Sequence, residues 1–199
     1  MNLIMLLRPI TLLILVCPII GCVNLKPRED TRKEYTLGLI NLPSARSGQE
    51  VERGYIARPY FPAYMEGYGL KVRSADGELV ELDGARWAEP IDLGVARSLS
   101  HYLEVASGGL KSGFYPWPQS NFEDNVLHVR FHQLIATAEG RILLSASWQL
   151  KQEGRESRSG VFAFTESTWD QGDPQSMVAG FNVALEAFAN EISDSLKKR

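Results

Sequence analysis

The sequence predicts an α/β chain of the α+β kind: a mixed, largely antiparallel sheet covered by two main helices in a single domain. Three observations predict it. Residues 125–138 and 141–152 alternate apolar with polar side chains on either side of Glu139-Gly140, the pattern of a long hairpin. Two apolar stripes at helical spacing, one from Ile91 and one from Met177, supply its cover. The length of 199 residues suits one domain once an apolar leader is set aside.

The leader comes first. Arg8 is followed by Pro9-Ile10-Thr11-Leu12-Leu13-Ile14-Leu15-Val16-Cys17-Pro18-Ile19-Ile20 and then Gly21, the layout of a secretory signal peptide over residues 1–21. As helix this apolar run spans about 18 Å, well short of the roughly 30 Å hydrocarbon core of a bilayer. Cleavage is therefore expected rather than a permanent span. Ile19-Ile20-Gly21-Cys22 resembles the bacterial lipobox, in which a small residue precedes the cysteine that receives diacylglycerol. The chain has 2 cysteines, Cys17 and Cys22, so processing leaves one, and a lone thiol in an oxidising compartment is a liability that a thioether removes. The expectation is a Cys22 carrying diacylglycerol and an N-acyl chain, more than the two signals stable anchoring needs. No other cofactor is expected. Val23, rather than Asp, follows the cysteine, which by resemblance to enterobacterial sorting points to the outer membrane and its periplasmic face.

Residues 22–34 read as the acylated cysteine and a flexible tether, charged and interrupted by Pro27, and the folded domain is expected over 35–199. Strands are predicted at 35–40 and 52–60, the second closed by Pro59 and Pro62, which withhold amide donors. Another strand at 68–73 precedes one at 78–82 across the turn Asp76-Gly77. The first helix starts near Ile91, repeats Ile91, Val95, Leu99 and Leu103, and ends at Gly108-Gly109. In the hairpin Leu127, Val129, Phe131 and Ile135 share one face, against Ile142, Leu144, Ala146, Trp148 and Leu150. A further strand at 159–165 carries Phe162 and Phe164. The last helix opens at Asp173-Pro174 and places Met177, Phe181, Leu185, Phe188, Ile192 and Leu196 on one stripe, with Lys197, Lys198 and Arg199 at its negative dipole end.

Function classes narrow quickly. A formal net charge of −3 gives no basic surface for nucleic acid. His128 and His132 are about 13 Å apart along a strand, beyond the reach of one metal ion, and His101 lies on a helix edge. No nucleophile elbow, dinucleotide loop or phosphate loop is present. Glu123-Asp124 are adjacent and project apart in an extended segment. The expectation is a non-enzyme with no catalytic residues and no metal site. Phe114-Tyr115-Pro116-Trp117-Pro118 reads as a proline-stiffened loop whose Tyr115 and Trp117 are candidates for contact with a partner or a second subunit, rigid aromatic anchors being typical of interfaces.

A family resemblance rests on four segments: Arg58-Pro59-Tyr60-Phe61-Pro62-Ala63-Tyr64-Met65, Tyr68-Gly69-Leu70-Lys71-Val72-Arg73, Leu79-Val80-Glu81-Leu82 and Arg86-Trp87-Ala88-Glu89-Pro90. Together they resemble the PqiC-like ABC-type transport auxiliary lipoproteins from about Tyr35 to the last helix. The sharpest is the Arg86, Trp87, Glu89, Pro90 motif, expected to be structural: Trp87 beneath the helix it introduces, Arg86 and Glu89 paired locally, Pro90 presetting the helix start. The resemblance implies an outer-membrane lipoprotein working with a periplasmic MCE-domain protein (PqiB-like) that forms a tunnel and with an inner-membrane partner (PqiA-like). Its field is lipid movement between membranes or envelope integrity. It also implies assembly as a homo-oligomeric ring. The rival reading is a lipoprotein that assembles or plugs an outer-membrane barrel.

Overall fold

The computed structural model describes residues 29–38, 53–108, 111–117 and 125–197. The fold belongs to the unit Arg32–Arg199, apart from Met1–Thr31. In chain order its strands are β1 (Lys33–Tyr35), β2 (Arg53–Ile56), β3 (Gly69–Arg73), β4 (Leu79–Trp87), β5 (Lys111–Phe114), β6 (Asn125–Thr137), β7 (Ile142–Gln152) and β8 (Arg158–Phe164), with helices α1 (Ile91–Ser107) and α2 (Pro174–Lys197).

β6 is the spine of one mixed sheet. β7 lies antiparallel along one edge of it and β8 antiparallel beyond β7. Two strands divide the other edge: β2 pairs parallel with the start of β6 through Tyr55 and Val126, and β3 parallel with its end through Val72 and Ala136. Tyr60 bridges Arg130 between them. β5 extends the sheet outside β2, while β4 and then β1 extend it outside β3.

The hairpin forms where its alternation predicts, with one shift. A bulge between Phe131 and Gln133 changes the phase, so Leu134 faces Leu144 and Ile135 faces Leu143 on the other side. Ile135, expected on the same face as Leu127, is therefore replaced there by Leu134. α2 covers this face as expected: Met177, Phe181, Leu185, Phe188 and Ile192 are buried, and Leu196 is partly so. Each such side chain contributes roughly 1.5–3 kcal/mol by leaving water. The stack of Phe61 on Phe131, centroids 4.6 Å apart, meets Phe188 edge-on at 6.0 Å. α1 packs beside α2 with Val95, Leu99 and Leu103 inward.

Caps fix both helices. Pro90 is the N-cap of α1 and Gly108, at φ 72, its left-handed C-cap. Asp173 accepts the Gln175 amide at 3.0 Å on its side chain and the Met177 amide at 3.1 Å on its carbonyl. Gly180 lets α2 come close to β7: a Cβ there would sit 2.7 Å from Ile142 Cγ1.

Three expectations are corrected. The strand expected at 35–40 begins at Lys33 and ends at Tyr35, because it pairs with Ala85, Arg86 and Trp87, partners far off in sequence; residues 39 and 40 lie outside the described residues. β4 does not stop at Leu82 but runs through a bulge with Gly84 at φ 70 to Trp87. Phe114, expected in the loop 114–118, is instead the last residue of a strand, Lys111–Phe114, that pairs with β2. The N-terminal part of the strand expected at 52–60 is present, and its continuation still follows β6: the Ala57 amide donates to Leu127 O and the Tyr60 amide to Val129 O, both at 3.0 Å.

Candidate functional site

Cys22, the leader before it, and Glu123, Asp124, Lys198 and Arg199 lie outside the described residues. What the structure places is the point at which the chain coming from Cys22 joins the domain. Tyr35 is followed by Leu37, only 2 % exposed, its side chain sunk in the core. Three further bonds hold this segment. The Ala88 amide donates to Tyr35 O at 2.8 Å. Arg97 of α1 donates to Leu37 O at 3.0 Å, and the Gly38 amide donates to Asn182 Oδ1 of α2 at 2.9 Å.

The Arg86, Trp87, Glu89, Pro90 motif is built around that junction. Arg86 stands directly opposite Glu34 in the β1–β4 ladder and donates to its carboxylate through Nε at 3.0 Å. Glu89 turns instead to Arg97, with which it forms an ion pair. The local Arg86–Glu89 pairing expected from sequence is thus not made: the strand directs Arg86 to its neighbour across the ladder, and the turn into α1 brings Glu89 to the helix. Trp87, 4 % exposed, packs 5.9 Å from Phe181 of α2, so it supports both helices rather than only the one it introduces. The Leu93 and Gly94 amides donate to Pro90 O. One motif therefore binds the incoming segment to β4, α1 and α2. Glu34, Leu37, Arg97 and Asn182 complete it, and no local pattern singled them out.

A second cluster lies at the loop after β5. Trp117 is 66 % exposed, yet its backbone is fixed: its amide donates to Phe114 O at 3.0 Å and its carbonyl accepts from Tyr55 Oη at 2.9 Å. Burial, with the Tyr115 phenol second, pushes the Tyr55 pKa up, so the hydroxyl remains a donor. Arg58 lies 5.4 Å from the Tyr115 ring centroid and donates to Asp92 at 2.6 Å. The hydrogen bond and charge of Asp92, with Tyr115 adding to them, raise the Arg58 pKa. Alongside, Arg130 lies 4.9 Å over the half-exposed Tyr60 ring. Tyr115 and Trp117 were legible as aromatic residues in a stiff loop. Arg58, Tyr60 and Arg130 were missed as their neighbours, because they come from β6 and from the segment that runs beside it.

Among the described residues no group of three or more His, Cys, Asp and Glu is placed to hold a metal ion. His128 and His132 are both exposed on β6, and the bulge falls at His132. No described helix is long and apolar enough to cross a membrane.

Comparison with known proteins gives consistent results. A solved protein of uncharacterised function matches with TM-score 0.68 and 18% identity over 83% of this chain and 99% of its own. A DUF330 protein from Xanthomonas campestris matches with TM-score 0.54 and 19% identity over 81% and 90%. At these identities the likeness is one of fold. No curated protein matches in sequence. The family of the ABC-type transport auxiliary lipoprotein component matches residues 35–193, from the strap that enters the core to the last turns of α2. The chain therefore belongs to the ABC-type transport auxiliary lipoprotein family.

Proposed function

We propose that this protein is a non-catalytic adaptor, anchored by acyl chains on Cys22 in the outer membrane and facing the periplasm. There it serves an MCE-type system that moves lipid between membranes or maintains the envelope. The observation that carries this reading is the junction at Leu37: the segment arriving from the lipobox is held by both helices and by the sheet, as a lipid-borne domain requires. Tyr115 and Trp117 form the docking knob for the periplasmic MCE-domain protein (PqiB-like) or for a neighbouring copy in a ring. An aromatic side chain that is exposed while its backbone is fixed loses little entropy on binding. A PqiA-like inner-membrane partner completes the system.

Two measurements test the reading. Mass spectrometry of the native protein is expected to show an N-terminal triacylated Cys22; an intact leader with a free thiol would overturn the anchor. Affinity purification from envelope membranes is expected to recover an MCE-domain protein, and Trp117→Ala to lose it while the melting behaviour stays unchanged. Recovery of an outer-membrane barrel in its place would select the assembly or plug role.

A further inference from the structure

Three strands end the sheet. β1 and β5 are 3 and 4 residues long and carry Lys33, Glu34 and Lys111, the short and charged kind of edge that keeps sheets from joining one another. β8 has neither protection. It runs for 7 residues, Arg-Ser-Gly-Val-Phe-Ala-Phe, with no proline, and its register with β7 is unbroken from Leu144–Phe164 to Leu150–Arg158. Its one charge, on Arg158, is turned onto α2, where Nη1 donates to Ser195 O and Leu196 O at 2.8 and 2.9 Å. Among the described residues β8 pairs with β7 alone, and Val161 at its middle is 77 % exposed.

The ladder fixes which backbone groups are open. The Ile142 amide donates to Ser167 O, so by alternation Leu144, Ala146, Trp148 and Leu150 also turn their amides and carbonyls to β8. Their partners there are Phe164, Phe162, Gly160 and Arg158. The amides and carbonyls of Ser159, Val161 and Ala163 therefore point outward, a set symmetric about Val161. A two-fold axis at that residue sets Val161 opposite Val161, Ser159 opposite Ala163 and Gly160 opposite Phe162, and every outward N–H meets a C=O. The side chains agree with this register. Trp148 lies against Gly160, where a Cβ would sit 2.8 Å from its Nε1, and Phe162 of a second copy would cover that gap, as an aromatic does across from an edge glycine. β1 and β5 are too short to pair with β8 along its length, so among the described edges the strand that fits β8 is β8 itself.

We propose that two copies of this chain pair antiparallel through β8 about a two-fold axis at Val161, joining their sheets into one. The strand is about 23 Å long at roughly 3.3 Å per residue. With one sheet layer and one helix layer, together about 20 Å deep, the contact covers roughly 460 Å² on each copy. That total falls below the roughly 1,200 Å² of a standard interface, so the dimer is a weak one that forms at high local concentration. The pairing uses no residue of the Trp117 knob or of the Leu37 junction, so its failure would leave the adaptor reading untouched.

Sedimentation equilibrium of the detergent-solubilised full-length protein, with micelles in excess over protein, reads the association. A monomer at about 1 µM that becomes a dimer by about 100 µM is expected. Val161→Lys places two like charges opposite each other and is expected to weaken the dimer at least about tenfold at an unchanged melting temperature. Ala163→Pro removes an outward amide while leaving the ladder to β7 intact, and is expected to weaken it as much. Ser159→Lys combined with Ala163→Glu sets opposite charges face to face twice in this register and is expected to tighten the dimer about threefold or more. A chain that stays monomeric throughout the range would overturn the proposal. So would a dimer that survives both weakening variants, a charge pair that fails to tighten it, or an assembly that Trp117→Ala disperses and Val161→Lys does not.

Discussion

The burial of Tyr102 is not compensated at its hydroxyl. Its ring is 3 % exposed in the core and its hydroxyl has no hydrogen-bond partner. Burial, with the Glu186 charge second, pushes its pKa up to about 12. The folded state therefore holds this proton more tightly than the unfolded chain, whose phenol ionises near 10. Stability from this group is intact below about pH 10 and is lost as pH rises toward about 12. Tyr102→Phe is expected to flatten that alkaline decline in a pH series of urea melts. It is also expected to raise stability at neutral pH by about 1 kcal/mol, since it removes a buried unsatisfied hydroxyl. A destabilisation would mean that the hydroxyl has a partner in solution. Glu89→Gln tests the junction: it is expected to cost about 1 kcal/mol and to quicken amide exchange at Leu37 and Gly38 more than in β7. The role of Glu89 was not legible in sequence, because its partner Arg97 lies inside α1, 8 residues further along, and the two share no short pattern.

At the scale of elements, legibility followed sequence distance. The β6–β7 hairpin and the stripes of α1 and α2 were readable because their partners are near or their period is internal to one segment. β1 and β5 were not, because each is 3 or 4 residues long and exists only through a parallel partner elsewhere in the chain. The bulge at His132 was missed although His132-Gln133 break the alternation, because the apolar run Leu134-Ile135-Ala136 after them fits either phase; Leu134, not Ile135, takes the face of Phe131. Gly180 shows how close the α2–β7 contact is. Gly180→Ala improves helix propensity, yet its methyl meets Ile142, Ser167 and Thr168 at 2.7–3.1 Å. The crowding is expected to win, with a net loss of about 1–3 kcal/mol in denaturant melts. Phe188→Ala, which empties the centre of the aromatic stack, is expected to cost about 3–5 kcal/mol.

For the whole molecule, the sheet is closed off from water on one side by two helices that meet the incoming chain at Leu37 and Gly38. Loss of the domain from membranes is thus expected from Cys22→Ala, with no change in the melting temperature of the solubilised protein, since Cys22 precedes the Arg32–Arg199 unit. Membrane fractionation beside a thermal melt checks both halves. The parallel β1–β4 ladder also settles how the protein answers a pull. A pull applied along β1 at Lys33, its first residue, acts lengthwise on the strand. Its bonds to β4 are then loaded in shear and must yield together, with Leu37 as a stop behind them, instead of opening one after another like a zip. Along that line the entry of the chain into the domain is mechanically stiff.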